Sequence, residues 1–148
     1  DALALQAAVA DGTVDCIVTD HAPHAAHEKD CEWEISYFGC IGLETSLPLM
    51  ITNMVRTNKL SFTGLVRAMA VNPRRILRLD PVKIAAGYKA DLTLFDPEKK
   101  VQITTEYFES KSKNSAFIGA ELYGVATDVF VDGNRVLADE VVVPGGEK

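Results

Sequence analysis

Apolar and polar positions follow a helix–strand–loop order in the first part of the chain. Residues 1–12 carry apolar side chains at helical spacing and stop at Gly12, which predicts the end of a helix. Residues 14–19 form a short apolar run that is rich in β-branched side chains, and this predicts a buried strand. Asp20 and His21 follow at once, so polar groups are expected just beyond the carboxyl end of that strand.

Residues 21–42 are polar and lack periodicity, and a loop of this length in a compact region usually serves function. Helical spacing returns at residues 43–55, where Pro48 predicts either a kink or the first turn of the main helix. Ser61 is a suitable N-cap for the next helix. Asn72-Pro73 then predicts a cap with proline in the first turn of another short helix.

After Asp80 the chain changes to short strand-like runs, at residues 91–95, 101–104, 125–131 and 135–138. Asp132-Gly133 is typical of a two-residue hairpin turn. We therefore predict two units, residues 1–80 and residues 81–148. One strand cannot cover the helices of the first unit, so this unit is expected to belong to a larger sheet or barrel. A complete (β/α)₈ barrel needs about 250 residues, more than this chain contains.

Composition and charge narrow the classes of partner. The net charge is −6, with −3 in each unit, so no basic face or tail indicates nucleic acid. No apolar stretch approaches the roughly 18 residues of a membrane span. Three cysteines, without a close pair, argue against a disulfide scaffold and favour a reducing, cytoplasmic compartment. Because the chain opens at Asp1 inside a helical pattern, its true N-terminus is expected upstream.

The segment Thr19-Asp20-His21-Ala22-Pro23-His24 is the strongest chemical feature. It places one carboxylate and two imidazoles within five residues of a predicted strand end, where barrel enzymes carry catalytic groups. A carboxylate there can bind a divalent metal, accept a proton from metal-bound water, or do both in turn. The alternative is a capped strand end followed by ordinary polar loop residues.

Several motifs, in order, carry a family resemblance. The segment at residues 17–24, Phe38-Gly39, Gly42-Leu43-Glu44-Thr45, and Ser110-Lys111-Ser112-Lys113-Asn114 together resemble the C-terminal part of a dihydroorotase of the bacterial class I type, in the amidohydrolase superfamily. The resemblance covers nearly the whole chain. It implies an α/β fold: the C-terminal portion of a TIM-type (β/α)₈ barrel, followed by part of a small β-sandwich domain.

The resemblance also implies the chemistry. Dihydroorotases interconvert L-dihydroorotate and N-carbamoyl-L-aspartate in pyrimidine biosynthesis, with Zn²⁺ at the mouth of the barrel. Asp20 would bind the metal and move the proton, His24 would contact the substrate carboxylate, and Phe38 and Gly39 would contact the ring. The family's other metal ligands would lie upstream, so the 148-residue chain alone is expected to be inactive.

Two alternatives stay open from the sequence. The first is another cyclic-amide hydrolase, such as an allantoinase or a hydantoinase. The second is a catalytically silent dihydroorotase-like subunit that serves as a scaffold for aspartate transcarbamoylase. The implied partners are a small-molecule substrate and either a second copy of the protein or aspartate transcarbamoylase.

Overall fold

The computed structural model describes residues 1–81 and 83–147. The first half is helical, with α1 (Ala2–Asp11), α2 (Ala26–Lys29), α3 (Leu43–Met50), α4 (Phe62–Val66) and α5 (Asn72–Ile76). A π-helical turn extends α3 over Ile51–Val55, and a second extends α4 over Arg67–Val71. The second half is one antiparallel sheet in the order β1 (Leu92–Gln102), β2 (Glu121–Val131), β3 (Asn134–Ala138) and β4 (Val141–Glu147). Helices with a small sheet fit the predicted α/β class.

The β2–β3 hairpin turn is confirmed. Asp132 and Gly133 have φ of 50° and 80°, and a two-residue turn of this hand needs positive φ at both positions. The helix predicted to end at Gly12 is also confirmed, since α1 stops there with Gly12 in the left-handed region at φ 84°. The strand β4 is not among the predicted strands, although Val141 to Val143 are β-branched.

The two strands predicted at residues 91–95 and 101–104 are one long strand, β1, and this part of the prediction is wrong. The register against β2 shifts between Asp96 and Lys100. The Asp96 carboxylate accepts hydrogen bonds from the backbone N–H groups of Glu98 (2.8 Å) and Lys99 (3.2 Å). These bonds satisfy the backbone of the irregular stretch, so the strand continues past it instead of ending in a turn.

Pro48 lies inside α3 and not in its first turn. A proline has no N–H, so the carbonyl of Glu44, four residues earlier, receives no helical hydrogen bond from it. The Tyr107 hydroxyl donates to that carbonyl instead, at 3.0 Å. Just beyond Pro48 the helix widens into the π-helical turn, in which the Arg56 N–H donates to the Ile51 carbonyl.

The two predicted helix caps have different outcomes. Ser61 is confirmed as the N-cap of α4, because its hydroxyl accepts from the Gly64 N–H at 3.1 Å. Asn72 is not a cap: it is the first residue of α5, and its side-chain amide donates to the Asp15 carbonyl at 2.7 Å. A long-range partner has therefore replaced the local backbone partner.

The core joins the helices to the sheet. One buried cluster contains Ile41, Ile103, Phe108 and Leu122, and the other contains Ile51, Met54, Leu60 and Leu65, with Phe95 and Tyr123 packed against it. At the second cluster Gly124, with φ 97°, lets β2 approach the helix closely. A Cβ on Gly124 would lie 2.7 Å from Cγ1 of Ile51, which is fully buried.

Residues 14–19 form no strand ladder with the rest of the described chain, so the predicted strand is not observed as part of a sheet. The Ile17 N–H donates to the Ala68 carbonyl at 3.0 Å, and Val18 is 76% exposed. A β-strand requires a neighbouring strand, and none of the described strands pairs with residues 14–19. Within the same residues, no helix is long and apolar enough to cross a membrane.

Candidate functional site

Two segments, residues 19–24 and residues 38–43, lie side by side and build the candidate site. The Ala22 N–H donates to the Cys40 carbonyl at 3.0 Å. Further along, the Nδ1 atom of His21 accepts from the backbone N–H groups of Gly42 (3.2 Å) and Leu43 (3.3 Å), which are the first donors of α3. His21 is therefore a side-chain cap that fixes the helix start against the predicted motif.

His24, the predicted contact of the substrate carboxylate, is held in place by two residues of the site loop, Tyr37 and Phe38. Its Nε2–H donates to the Phe38 carbonyl at 2.9 Å, and its ring stacks on Tyr37 with 5.4 Å between the ring centroids. Its Nδ1 faces the Glu28 carboxylate at 3.6 Å, outside normal hydrogen-bond distance. That carboxylate accepts instead from the Ala25 N–H at 2.8 Å, at the start of α2.

Gly39 has a backbone conformation that few other residues adopt. Its φ is 106°, and a Cβ at this position would lie 2.6 Å from the Cβ of Ala22. The Gly39 carbonyl accepts from the Lys29 ammonium at 3.2 Å and from the Asn114 side-chain amide at 3.1 Å. Lys29 also donates to the Tyr37 carbonyl. Hydrogen bonds from Lys29 and Asn114, together with the close approach to Ala22, therefore fix the bend at residues 37–39.

The orientation of two loop peptides follows from these bonds. In a trans peptide the carbonyl and the N–H point in opposite directions. The Phe38 carbonyl is directed to His24, and the Gly39 carbonyl to Lys29 and Asn114. The N–H groups of Gly39 and Cys40 therefore point away from these partners. The Phe38 side chain itself is 93% exposed.

Asp20 lies at the start of the first segment with an exposed side chain and φ of 45°. A left-handed backbone at a residue other than glycine carries a small energetic cost and often occurs at functional sites. No three His, Cys, Asp or Glu residues come together in a metal-binding arrangement anywhere in residues 1–81 and 83–147. The structure thus brings His24, Phe38 and Gly39 into contact, and Asp20 lies two residues before Ala22, whose N–H is bonded to the neighbouring segment.

The groove beside His24 carries positive charge. Lys29, Lys111 and Lys113 line it together with Asp30, so its three ammonium groups outnumber this carboxylate. Outside this groove, burial raises the pKa of the Tyr107 hydroxyl above its usual value, and the negative charge of Glu44 adds to the effect. A groove with three ammonium groups suits an anionic ligand.

The sequence does not predict the contacts of Lys29 and Asn114 with the site loop. It also does not predict the contacts of Glu44 with residues 107–110. Glu44 and Asn114 belong to segments that carry the family resemblance, but no local pattern gives any of the three residues a role. Asn114 is 75 positions from Gly39 in sequence, so its contact exists only in the folded chain. The polar, aperiodic sequence of residues 21–42 predicts a functional loop, but it does not predict which residues hold that loop in place.

Known proteins resemble this chain along almost its whole length. Dihydroorotases from Clostridium acetobutylicum and Geotalea daltonii are 41% and 45% identical to it, over 95% and 92% of the chain. The chain spans about a third of the length of these curated relatives. An L-hydantoinase structure from Arthrobacter aurescens superposes with a TM-score of 0.88 at 30% identity, over 97% of this chain and 33% of that one.

A dihydropyrimidinase structure from Brevibacillus agri superposes with a TM-score of 0.89 at 22% identity, over 97% of this chain and 32% of that one, which shows a common fold. The family model described as "Amidohydrolase family" matches residues 1–136. The match takes in both the motif at residues 19–24 and most of the sheet. The chain therefore belongs to the amidohydrolase family.

Proposed function

We propose that this chain is the C-terminal part of a zinc dihydroorotase, which reversibly hydrolyses L-dihydroorotate to N-carbamoyl-L-aspartate in pyrimidine biosynthesis. The observation that carries the proposal is the contact between residues 19–24 and the Phe38-Gly39 bend, in a chain whose curated relatives at 41–45% identity are dihydroorotases. The cationic groove beside His24 suits the carboxylate of such a substrate.

Asp20 is the one residue of this chain that we assign to the metal. Its carboxylate is exposed at the end of an apolar segment, which is a donor type and a position suited to Zn²⁺. Zinc needs further ligands, and we propose that these lie upstream of Asp1. A bound zinc ion would supply an activated water and would polarise the amide carbonyl.

Asp20 is also our candidate general base and acid. Ring opening requires a group that takes a proton from the attacking water and gives a proton to the departing amide nitrogen as the C–N bond breaks. One carboxylate can do both in sequence, so no net proton is consumed by the residue. The left-handed backbone at Asp20 is consistent with a side chain held for a specific task.

We assign His24 to the substrate carboxylate and the Phe38-Gly39 bend to the ring. His24 Nε2 donates to a neutral carbonyl, that of Phe38, at 2.9 Å. A substrate carboxylate taking the place of this carbonyl would form a charge-assisted hydrogen bond, about twice as strong as the neutral one. The N–H groups of Gly39 and Cys40 point away from the loop's own supports, so they are suited to donate to the polar edge of a flat ring.

The proposed fold of the whole protein is a TIM-type (β/α)₈ barrel with a small β-sandwich domain. Residues 1–80 would be the last strand, site loop and helices of the barrel, and residues 81–148 would be part of the sandwich. Two observations support this. Residues 14–19 are apolar but have no strand neighbour among the described residues, and the chain spans about a third of its relatives.

A hydantoinase activity is the second candidate, because a solved L-hydantoinase superposes on the chain with a TM-score of 0.88. Its identity of 30% is lower than the 41–45% of the curated dihydroorotases, which is why we place it second. Both reactions open a cyclic amide, so they differ in substrate and not in chemistry.

The experiment that separates them is a substrate comparison on the full-length, zinc-loaded protein. We expect kcat/KM for L-dihydroorotate to exceed that for hydantoin and for allantoin by at least about a hundredfold, since a site built for a charged group rejects analogues that lack it. The 148-residue chain, assayed in parallel, is expected to show no turnover. A preference for hydantoin would transfer the proposal to the second candidate.

A further inference from the structure

Asn114 contacts the substrate-binding bend at two points. Its side-chain amide donates to the Gly39 carbonyl at 3.1 Å, and its backbone carbonyl accepts from the Ile41 N–H at 2.9 Å. One residue of the C-terminal half thus holds both ends of the stretch 39–41. Lys29 is the second donor to Gly39, at 3.2 Å, but it comes from the loop itself and not from outside it.

The segment that carries Asn114 is itself fixed to α3. The two carboxylate oxygens of Glu44 accept from the backbone N–H groups of Glu109 (2.8 Å) and Ser110 (3.2 Å). The Glu44 backbone carbonyl, which Pro48 leaves without a helical donor, accepts from the Tyr107 hydroxyl at 3.0 Å. Three bonds to one residue therefore hold the start of this segment against the helix.

Hydrophobic packing also holds the segment that carries Asn114. Phe108 is buried in the cluster that contains Ile41 and Ile103, and Ser112 is also buried. Ile41 lies two residues after the bend at residues 37–39 and two residues before α3. The bend, the start of α3 and the segment that carries Asn114 are therefore joined through one core. Movement of the Gly39 peptide would require Asn114 to follow it or to lose its hydrogen bond.

We propose that Asn114 is a positioning residue for substrate binding, which acts through the Gly39 peptide, and that Glu44 anchors the segment that carries it. The inference rests on the proposed function, because it takes the Phe38-Gly39 bend as the substrate contact. Asn114 sets the direction of the Gly39 carbonyl, and hence of the Cys40 N–H on the same peptide plane. The C-terminal half thereby contributes to substrate affinity without touching the substrate.

The test compares Asn114→Ala and Asn114→Asp in the full-length protein, with Asn53→Ala as the matched control. Asn53 also donates a side-chain amide to a backbone carbonyl, that of Leu49 at 2.9 Å, but it is exposed and this bond stays within α3 and its π-helical extension. We expect KM to rise about five- to tenfold in Asn114→Ala, with kcat within about twofold, because the bond fixes the binding loop and not the proton-transfer group. Asn114→Asp should raise KM at least as much, since a carboxylate, like the methyl group of alanine, cannot donate to the Gly39 carbonyl.

Amide hydrogen exchange at Ile41 gives an independent readout, because its partner is the Asn114 backbone carbonyl, which every variant retains. Protection of Ile41 with a raised KM supports the proposal. A wild-type KM in either Asn114 variant overturns it. So does loss of Ile41 protection together with a fall in kcat, which would show that Asn114 only stabilises the fold.

The proposed function can fail separately. If the wild type opens hydantoin in preference to dihydroorotate, the dihydroorotase proposal is lost. The ratio of KM between Asn114→Ala and the wild type, measured on hydantoin, still decides the role of Asn114.

Discussion

Gly39→Ala tests the geometry of the proposed substrate-binding bend, residues 37–39, most sharply. The added Cβ would lie 2.6 Å from the Cβ of Ala22, whereas carbon atoms in contact prefer about 3.5–4.0 Å. Ala22 cannot simply retreat, because its N–H is bonded to the Cys40 carbonyl. The bend must therefore move by roughly 1 Å, and a displacement of that size can cost about a hundredfold in rate. The φ of 106° adds strain of about 1–3 kcal/mol.

The assay is steady-state hydrolysis of dihydroorotate by the full-length variant. We expect kcat/KM to fall about 30- to 100-fold, equivalent to roughly 2–2.7 kcal/mol of transition-state stabilisation. Gly12→Ala is the control, since Gly12 has a similar positive φ of 84° and a Cβ added there would meet no atom within 4 Å. Adding Ala22→Gly removes the clashing atom and should recover at least about threefold of the loss. Wild-type kcat/KM in Gly39→Ala, or no recovery in the double variant, would show that contact with the Ala22 Cβ does not limit residue 39.

Two further predictions concern the motif histidines and the packing of the sheet. His24→Ala should keep its zinc while KM rises about ten- to a hundredfold, because a hydrogen bond to a charged group contributes about 1.5–3 kcal/mol. His21→Ala should also keep its zinc but lose about 0.5–2 kcal/mol of stability, since two N–H groups of α3 lose their acceptor. Metal analysis and KM decide this pair, and loss of zinc in His24→Ala would contradict the assignment. Gly124→Ala should cost about 2–4 kcal/mol in urea unfolding, because its Cβ would lie 2.7 Å from the fully buried Ile51. Gly119→Ala, with φ 92° and open space, is its control, and equal losses in the two variants would exclude the clash as the cause.

Local signals in the sequence predict the features that depend on local physics. Gly12 ends α1, Ser61 caps α4, and Asp132-Gly133 makes the β2–β3 turn. In each case a short-range hydrogen bond or a positive φ determines the structure, and the residue type reports it directly. The loop at residues 21–42 is recognisable by its lack of periodicity, although the short helix α2 forms inside it.

Features that depend on distant partners are predicted poorly. Asparagine is a common helix cap, but the side chain of Asn72 donates to the backbone carbonyl of Asp15, 57 positions away. The run at residues 14–19 has the composition of a strand, yet a strand forms only beside another. Pro48 lies inside α3 because Tyr107, from the other half of the chain, donates to the carbonyl that the proline leaves free.

The candidate site also has one part that the sequence predicts and another that depends on distant partners. The motif at residues 19–24 indicates the chemistry, because a carboxylate and imidazoles at a strand end are readable from sequence. The residues that hold the neighbouring bend at residues 37–39, Lys29 and Asn114, have no recognisable role until folding brings them to the Gly39 carbonyl. Residue type predicts which groups can react, whereas the three-dimensional contacts determine which groups hold them in place.

The most direct test of the account is turnover of dihydroorotate by full-length Asp20→Asn at saturating zinc. The substitution keeps the shape of the side chain, removes the group proposed to move the proton, and weakens a metal bond. We expect kcat to fall at least about a hundredfold relative to the wild type, in line with the contribution of a general base. Normal turnover with a full complement of zinc would contradict it, and would remove Asp20 from both of its proposed roles.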